Sequence, residues 1–305
     1  MNKLLIVGTV AFDQVQTPFG NSGTILGGTA TYIGLAASFY SIKSAIVSVV
    51  GDDFPEKHLD LFKSRNIDIS GLETVKGGKT FFWKGKYHND LNLRDTLETQ
   101  LNVLENFKPK VPNSFKDADI VMLGNLHPLV QLEVINQLEK KPKLLVLDTM
   151  NFWMEHTKDD LLKVIEKIDL ITINDEEARQ LTGEYSLLKA AKAILKMGPR
   201  YVVIKKGEHG ALLFDKNDIF FAPALPLEEV FDPTGAGDTF AGGLTSFLTQ
   251  SGNISFENLT KAIVHGSNLA SFCVEKFGVE RLLEVDQKQL NERLQKFKSL
   301  TFFEI

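Results

Sequence analysis

The hydrophobic pattern of the chain alternates between short apolar runs and longer amphipathic stretches. The short runs hold Val, Ile and Leu at consecutive positions, as expected of strands that are covered on both faces. These predicted strands are 4–10, 44–50, 119–123, 143–147, 170–173 and 201–204. The stretches between them have helical spacing, and the predicted helices are 29–40, 55–65, 129–140, 159–167 and 186–197. This alternation predicts a three-layer α/β fold, with a mostly parallel sheet between two layers of helices.

Two segments do not fit a buried parallel sheet. Residues 14–25 and 79–88 have a strand-like pattern but carry aromatic and charged side chains. We therefore expect them to form a small projecting sheet that acts as a lid, and we expect the polar segment 89–105 to be a surface excursion. Further helices are predicted at 236–250, 256–276 and 287–298. No linker rich in Gly, Ser and Pro interrupts the sequence, so residues 1–305 are predicted to form one domain with the lid inserted in it.

Composition narrows the classes of function. Of the 305 residues, 43% are hydrophobic and 24% are charged, which is typical of a globular protein. The 39 acidic and 34 basic residues give a net charge of −5, without the basic excess typical of nucleic-acid-binding proteins. Cys273 is the only cysteine, which excludes an intrachain disulfide and a thiolate zinc site. The apolar start of the chain lacks a small-residue cleavage site, and no apolar run reaches the roughly 20 residues that span a bilayer. We expect a cytoplasmic protein without nucleic-acid or membrane partners.

The strongest chemical signal is the segment DPTGAGDTFAGG at 232–243, where a glycine-rich turn leads directly into an apolar helix. The backbone N–H groups of Gly235, Ala236 and Gly237 can converge at the helix N-terminus and form an anion hole. Asp238 lies in the first helical turn, where a carboxylate could take a proton from a hydroxyl nucleophile. An acidic helix cap is the alternative explanation. Two Asp residues on either side of TGAG are hard to explain by capping alone.

This segment resembles the C-terminal signature of the ribokinase-like (PfkB) carbohydrate kinases, a family that includes sugar and nucleoside kinases. The resemblance extends over nearly the whole chain through an ordered set of motifs: Gly8 and Asp13 after the first strand, the pair Gly27-Gly28, NDEE at 174–177 and KGEHG at 206–210. It implies that Asp238 is the catalytic base, which activates an acceptor hydroxyl for attack on the γ-phosphate of ATP. It also implies that the amides of Gly235, Ala236 and Gly237 hold the phosphoryl charge. The sequence has no Walker A motif, and no GxGxxG follows the first strand.

The resemblance also assigns residues to the nucleotide and to metal ions. Asn174 and Glu177 match a motif that organises Mg²⁺ and its waters, although Asn-Asp-Glu-Glu is equally a good helix N-terminus. Lys206, Gly207 and Gly210 lie on a strand-turn-strand that would run along the nucleotide, and the bland alternative is a simple hairpin turn. Asn268 lies on a late helix that would border the adenine, or it is a solvated helix residue. A monovalent cation such as K⁺ would lie near Asp232.

The resemblance assigns a further set of residues to binding of the acceptor. Asp13 would hydrogen-bond the acceptor hydroxyls, and the backbone at Gly27 and Gly28 would approach the sugar; a turn Asp and a capping turn are the alternatives. Tyr32 stands where the family usually has Asn, and its larger side chain argues against a ribokinase-like pocket. Asn125 and the aromatic pair at 152–153 follow two central strands. These aromatic residues could stack on a base or a sugar ring, or could belong to the core.

Together these residues predict a kinase that transfers the γ-phosphate of Mg-ATP to a hydroxymethyl group of a sugar. A nucleoside acceptor is the alternative within the same family, and a non-catalytic ligand-binding protein with the same fold is the alternative from another class. Closure of the lid would exclude water during transfer. Because such lid strands can pair between subunits, a homodimer formed through the lid is also expected.

Overall fold

A computed structural model describes residues 1–301. The strands are β1 (Lys3–Val7), β2 (Ala11–Thr17), β3 (Gly20–Gly27), β4 (Lys43–Gly51), β5 (Ile67–Val75), β6 (Phe82–Tyr87), β7 (Arg94–Gln100), β8 (Ile120–Leu123), β9 (Leu144–Asp148), β10 (Leu170–Asn174), β11 (Tyr201–Lys205), β12 (Ala211–Phe214) and β13 (Ile219–Ala222). The helices are α1 (Thr29–Ala37), α2 (Glu56–Ser64), α3 (Pro128–Asn136), α4 (Asn151–His156), α5 (Lys158–Ile165), α6 (Asp175–Thr182), α7 (Leu187–Met197), α8 (Ala236–Ser251), α9 (Phe256–Cys273), α10 (Glu280–Glu284) and α11 (Gln287–Thr301).

The main sheet has nine strands in the order β13-β12-β11-β10-β9-β8-β1-β4-β5. The strands from β11 to β5 pair in parallel, and β12 and β13 add an antiparallel edge. Strand β1 shows how the sheet separates two cores: Leu4 and Ile6 enter one apolar cluster, while Leu5 and Val7 enter the other. All four side chains are fully buried. The predicted three-layer α/β fold is confirmed.

A second, small sheet has the strand order β3-β2-β6-β7, and we call these four strands the small sheet. The segment predicted as one strand at 14–25 is in fact the hairpin of β2 and β3, with Gly20 opening the second strand. The polar segment 89–105 is exposed as predicted, but it contains β7, which pairs with β6. The surface excursion therefore also supplies the edge strand of the small sheet. Strands β5 and β13 and helices α4 and α10 were not predicted.

The parallel strands bring their carboxyl ends to one edge of the main sheet, the usual location of a ligand crevice. Strands β1, β8, β9, β10 and β11 end there. The small sheet begins at this edge, because β2 starts four residues after β1 ends. Helix α8 also starts here and is closed at its other end by Gly252, which has a left-handed conformation. None of the helices among residues 1–301 is long and apolar enough to cross a membrane.

Candidate active site

A cleft of about 760 Å³ opens at this edge of the sheet. Its walls come from the turn between β11 and β12, the first turn of α8, one face of α9 and the segment 89–92 of the small sheet. Gly207, Gly210, Ala236 and Gly237 line it, so the glycine-rich loop and the predicted nucleotide turn face the same space. The structure therefore brings two distant sequence motifs together.

The loop before α8 is held in place by Asp232, which is fully buried. One carboxylate oxygen accepts a hydrogen bond from the Thr234 amide at 2.9 Å, and the other accepts one from the Gly278 amide at 2.9 Å. Burial raises the pKa of this carboxyl above its usual value. Asp232 thus fixes the loop against the chain that follows α9, whether or not a cation lies beside it.

The N-terminus of α8 exposes part of the predicted anion hole. Gly235 caps the helix with φ of 75°, a left-handed conformation that favours glycine. Among the described residues, the amides of Gly235 and Gly237 have no hydrogen-bond acceptor. The Ala236 amide differs, because it donates to the Pro233 carbonyl at 3.2 Å within the turn. Two of the three predicted donors are therefore available to an anion in this structure, and the third is used inside the loop.

Asp238 lies in the first turn of α8, as the sequence predicted. Burial, followed by the charge of Asp148, raises the pKa of this carboxyl from 3.8 to about 6. The ammonium of Lys205, a hydrogen bond from the Thr29 side chain and the charge of Arg94 act in the opposite direction. At neutral pH the carboxylate is mostly ionised, and a base with a pKa close to the working pH is well suited to general base catalysis.

Asp13 and the pair Gly27-Gly28 lie close together, near enough to Asp238 for its charge to act on Asp13. A Cβ on Gly27 would overlap the Asp13 carboxylate, and Gly28 has φ of 93°. Burial, with help from the nearby charge of Asp232, raises the pKa of Asp13 to about 7, while a hydrogen bond from the Gly28 backbone lowers it. The glycines are therefore required for the close approach of their backbone to this carboxylate.

Tyr32 does not lie in an open pocket. Its side chain is 1% exposed, and a Cβ on Gly235 would overlap its ring. The Tyr32 hydroxyl is buried and has no hydrogen-bond partner among the described residues. Burial and the neighbouring groups of Cys273 and Asp13 raise its pKa. The structure thus places the Tyr32 ring beneath the glycine-rich loop, packed against Gly235.

Asn174 and Glu177 form a capping box at the start of α6. The Asn174 side chain accepts a hydrogen bond from the Glu177 amide at 2.8 Å, and the Glu177 carboxylate accepts one from the Asn174 amide at 3.0 Å. The helix-terminus interpretation is therefore correct as geometry. Burial raises the pKa of Glu177 to about 7, and the charge of Lys205 partly offsets this. Within residues 1–301, no group of three or more His, Cys, Asp or Glu side chains could hold a metal ion by itself.

On the nucleotide side, two of the predicted residues lie outside the lining of the cleft. Lys206 does not line the cleft, and its backbone amide closes the turn on Gly210; Lys205 lines the cleft instead. Asn268 is 2% exposed and its side-chain amide donates to the Leu290 carbonyl at 3.1 Å. Because α9 turns its other face to the cleft, Ser267 and Ser271 line it in place of Asn268.

The predicted residue Asn125 belongs to an aromatic cluster at the ends of β8 and β9. Its side-chain oxygen accepts a hydrogen bond from the Trp153 indole at 2.7 Å, and its amide nitrogen lies 3.0 Å from the Met150 sulfur. Phe152 meets Trp153 edge to face at 4.9 Å between ring centroids. Phe152 is 45% exposed, whereas Trp153 is partly buried against the core. One of the two aromatic residues is thus available to a ligand, and the other orients Asn125.

The small sheet contacts the glycine-rich loop directly. The hydroxyl of the buried Tyr87 lies 3.3 Å from the hydroxyl oxygen of Thr234. Opposite Tyr87 in the ladder is Arg94, whose guanidinium lies 5.2 Å from the Trp83 ring centroid. The charge of Arg94 lowers the pKa of Asp13, Asp238 and Glu177, so it faces the carboxylates of the crevice. From the sequence, Arg94 could reach a phosphorylated or acidic acceptor, and the alternative is a solvated surface Arg, which is the usual case.

Comparison with known proteins agrees with this geometry. A family model described as "pfkB family carbohydrate kinase" matches residues 12–285. The chain is 32% identical to a cytidine kinase of Thermococcus kodakarensis, over 80% of this chain and 87% of the relative. It is 25% identical to a ribokinase of Lactococcus lactis, over 94% of this chain and 97% of the relative.

Solved structures share the fold. The nucleoside kinase of Methanocaldococcus jannaschii superposes with a TM-score of 0.77 at 22% identity, covering 97% of this chain and 99% of that one. A putative Ribokinase II from E. coli superposes with a TM-score of 0.81 at 19% identity, covering 97% of this chain and 100% of that one. With the family model, the 32% identical relative and the placement of Asp238 beside the glycine-rich loop, the chain belongs to the pfkB family of carbohydrate kinases and is a phosphotransferase with a hydroxyl acceptor.

Proposed function

We propose that this protein transfers the γ-phosphate of Mg-ATP to the hydroxymethyl group of a small sugar-containing acceptor. The observation that carries the proposal is the position of Asp238, one residue after two unpaired amides at the N-terminus of α8. A proton acceptor and an anion-binding site are thereby adjacent. Phosphoryl transfer depends mainly on positioning and charge stabilisation, which this arrangement supplies.

The transfer step follows from these positions. The Asp238 carboxylate takes the proton of the acceptor hydroxyl as its oxygen forms a bond to the γ-phosphorus. The bond between that phosphorus and the bridging oxygen breaks, and the electron pair leaves with ADP. The amides of Gly235 and Gly237 stabilise the charge on the phosphoryl oxygens, and Asp13 hydrogen-bonds other hydroxyls of the acceptor. Each group thus has one task.

Magnesium fits the residues present only as an ion held mainly by phosphate and water. Glu177 offers one buried carboxylate, of which one oxygen already accepts the Asn174 amide. The ion would supply charge neutralisation at the phosphates, and Asn174 and Glu177 would hold its waters. We also propose K⁺ beside Asp232, since a cation there would stabilise the charge of this buried carboxylate. Activity in potassium salt compared with N-methylglucamine salt tests this.

A nucleoside is the acceptor that the site supports best, and a free sugar is the second candidate. The Phe152 ring follows β9, the second strand from β1, and stacks on His156 at 4.2 Å between ring centroids, so a base could stack on its other face. The cytidine kinase relative supports the same choice. Tyr32 in place of a polar Asn removes one contact that a free sugar would use.

The small sheet is proposed to close over the site as a lid and to pair with a second copy of the chain. Its edge strand β7 exposes Leu97, and Leu93 just before it is half exposed. Sedimentation analysis of the protein and of a Leu97→Lys variant tests the homodimer, since a charge at the edge disfavours pairing. A cytoplasmic location, where ATP is available, completes the proposal.

The experiment for the function is release of ADP from Mg-ATP with a panel of cytidine, uridine, inosine, ribose and fructose. We expect turnover with at least one nucleoside and its loss in Asp238→Asn. Turnover only with sugars would refute the nucleoside assignment. No turnover with any acceptor, together with unchanged ligand binding in Asp238→Asn, would support the non-catalytic alternative.

A further inference from the structure

Lys205, at the last position of β11, forms a buried ion pair with Asp148, at the last position of β9. The Lys205 Nζ lies 2.8 Å from Oδ2 and 3.0 Å from Oδ1 of Asp148. The side chains are 17% and 6% exposed. A buried pair of this kind must recover a large desolvation penalty, so it is weak evidence of a purely stabilising role.

The pair lies beside the anion-binding loop. The Lys205 Nζ is 3.2 Å from the position that a Cβ on Gly237 would occupy. Lys205 also lines the cleft together with Gly207 and Gly237. A positive charge and the free Gly237 amide therefore face the same small volume.

The ammonium has bonding capacity that the protein does not use. Lysine carries three N–H donors. Within residues 1–301, its hydrogen bonds go only to the two oxygens of Asp148. Those oxygens lie on one side of the nitrogen, so at least one N–H remains for a ligand in the cleft.

The carboxylates around Lys205 indicate what its positive charge does. Asp238, Asp148 and Glu177 all interact electrostatically with Lys205, and ATP adds several negative charges to the same space. Without a compensating cation, these carboxylates would repel the phosphates. Asp148 holds the ammonium in place through both oxygens, and one of them also accepts the Thr149 amide at 3.0 Å.

We propose that Lys205 is a catalytic residue whose ammonium contacts the γ-phosphoryl group during transfer, and that Asp148 is the positioning residue that holds it there. This inference rests on the proposed kinase function. It assigns to Lys205 the cationic partner of the phosphoryl group, in addition to the backbone amides.

The test compares Lys205→Met with Lys143→Met. Lys143 is a matched control because it also pairs with an aspartate, Asp119, at 3.2 Å, but precedes β9 and so lies at the opposite end of that strand from Asp148. Binding of Mg²⁺ with a non-hydrolysable ATP analogue, AMP-PCP, is measured beside binding of AMP, and kcat is measured with the best acceptor. For Lys205→Met we expect kcat to fall by about 10²- to 10³-fold, as for removal of one transition-state donor. Affinity for AMP-PCP should fall at least tenfold while affinity for AMP stays unchanged. Lys143→Met should change none of these.

Two further variants separate contact from structure. Lys205→Met leaves the Asp148 charge unpaired, so the double variant Lys205→Met/Asp148→Asn removes both charges and retains a neutral, foldable site. It should show the same selective loss of AMP-PCP affinity, and Lys205→Arg should restore part of it. Asp148→Asn alone should lower kcat and leave AMP affinity unchanged.

The inference is overturned if Lys205→Met keeps kcat within twofold, or if AMP and AMP-PCP affinities fall together as in a merely structural defect. A parent protein without turnover would refute the proposed function. The comparison of AMP-PCP with AMP would still decide whether Lys205 contacts the terminal phosphate.

Discussion

At the scale of single residues, Asp238 stands between groups that move its pKa in opposite directions. Burial and Asp148 raise the pKa to about 6, while Lys205, Thr29 and Arg94 lower it. Since this value lies above the usual 3.8, the carboxylate gains a proton as the pH falls through 6. A protonated Asp238 cannot accept the proton of the acceptor.

We therefore expect kcat/KM, which reports the pKa of the free enzyme, to be constant above pH 7 and to fall tenfold per pH unit well below pH 6. Arg94→Gln should move this acid limb to higher pH, because one of the charges that favour the carboxylate is lost. Arg200→Gln, a change at the opposite end of β11, should leave the limb in place. A flat profile between pH 5 and pH 8 would show that Asp238 is not the base.

Gly235 carries two separate requirements, a left-handed φ of 75° and contact with the Tyr32 ring. Gly235→Ala should lower the free energy of unfolding by about 2 to 4 kcal/mol, from backbone strain together with overpacking. Activity should fall as well, because the loop must shift. Denaturant unfolding and kcat measure the two effects.

Gly183→Ala is the matched control for this change. Gly183 has φ of 73°, and nothing lies within 4 Å of its would-be Cβ. Gly183→Ala should lower the free energy of unfolding by only about 1 kcal/mol, which is the cost of the left-handed backbone conformation alone. Equal losses in the two variants would mean that the Tyr32 ring moves aside without cost.

Sequence motifs predicted most of these residues, but in some cases a residue next to the predicted one lines the cleft. The motif at 232–243 predicted the position of Asp238, because a glycine turn before an apolar helix is a local feature. Lys205 and Lys206 are adjacent, and a single step along a strand reverses the direction of a side chain. Asn268 lies outside the lining of the cleft because the face that α9 turns to the cleft is set by its packing against α8 and α11.

At the scale of elements, the strands that were predicted from a continuous apolar run are buried strands of the main sheet. Strand β5 lies at the edge of the main sheet and has only two buried residues, Ile67 and Gly71, and every residue of β7 is exposed. Their sequences therefore lack a continuous apolar run. These segments form strands because a neighbouring strand offers hydrogen bonds to their backbone. The local sequence pattern does not show that such a neighbour is present.

The contact between Tyr87 of β6 and Thr234 of the glycine-rich loop predicts that the small sheet is coupled to phosphoryl transfer. Tyr87→Phe removes the contact with the Thr234 hydroxyl, about 1 kcal/mol of hydrogen bonding. We expect acceptor phosphorylation to slow about three- to tenfold and ATP hydrolysis without acceptor to increase, because closure excludes water less well. Parallel assays of ADP and phosphorylated product measure the ratio.

Tyr185→Phe serves as the control, since Tyr185 is 87% exposed and lies on the surface after α6. It should keep the ratio of the parent. An unchanged ratio in Tyr87→Phe would mean that this contact does not couple the small sheet to transfer.

At the scale of the whole molecule, the crevice concentrates carboxyl groups that burial makes hard to ionise. The pKa of Asp13 and of Glu177 is raised to about 7. Between the unfolded value near 4 and this value, the folded state binds more protons than the unfolded state. Each such group therefore lowers stability as the pH rises through that window.

Asp13→Asn isolates one of these groups. We expect its Tm to exceed that of the parent by about 2 to 4 °C at pH 8 and the difference to shrink at pH 5, where the parent carboxyl is protonated. Thermal melts of both proteins without ligands, at the two pH values, measure this.

Asp117→Asn is the control, and its change in Tm is expected to have the opposite sign. The pKa of the exposed Asp117 is lowered by its hydrogen bond with Lys3, so its contribution is present at pH 8 and is lost only in acid. This variant should be slightly less stable than the parent at both pH values. A Tm advantage of Asp13→Asn that is equal at pH 5 and pH 8 would contradict the linkage.

The small sheet is built from two separate excursions of the chain, and this limits how it can move. Strands β2 and β3 leave and rejoin the main body at 8–10 and 28, and β6 and β7 do so at 76–81 and 101. The parallel ladder between β2 and β6, from Phe12 to Gln16, joins the two excursions into one plate. A plate tied at four points has few rigid-body freedoms, so the proposed closure would move it as a unit. Spectroscopic labels on β3 and on β7, at its two outer edges, should therefore report a single opening rate.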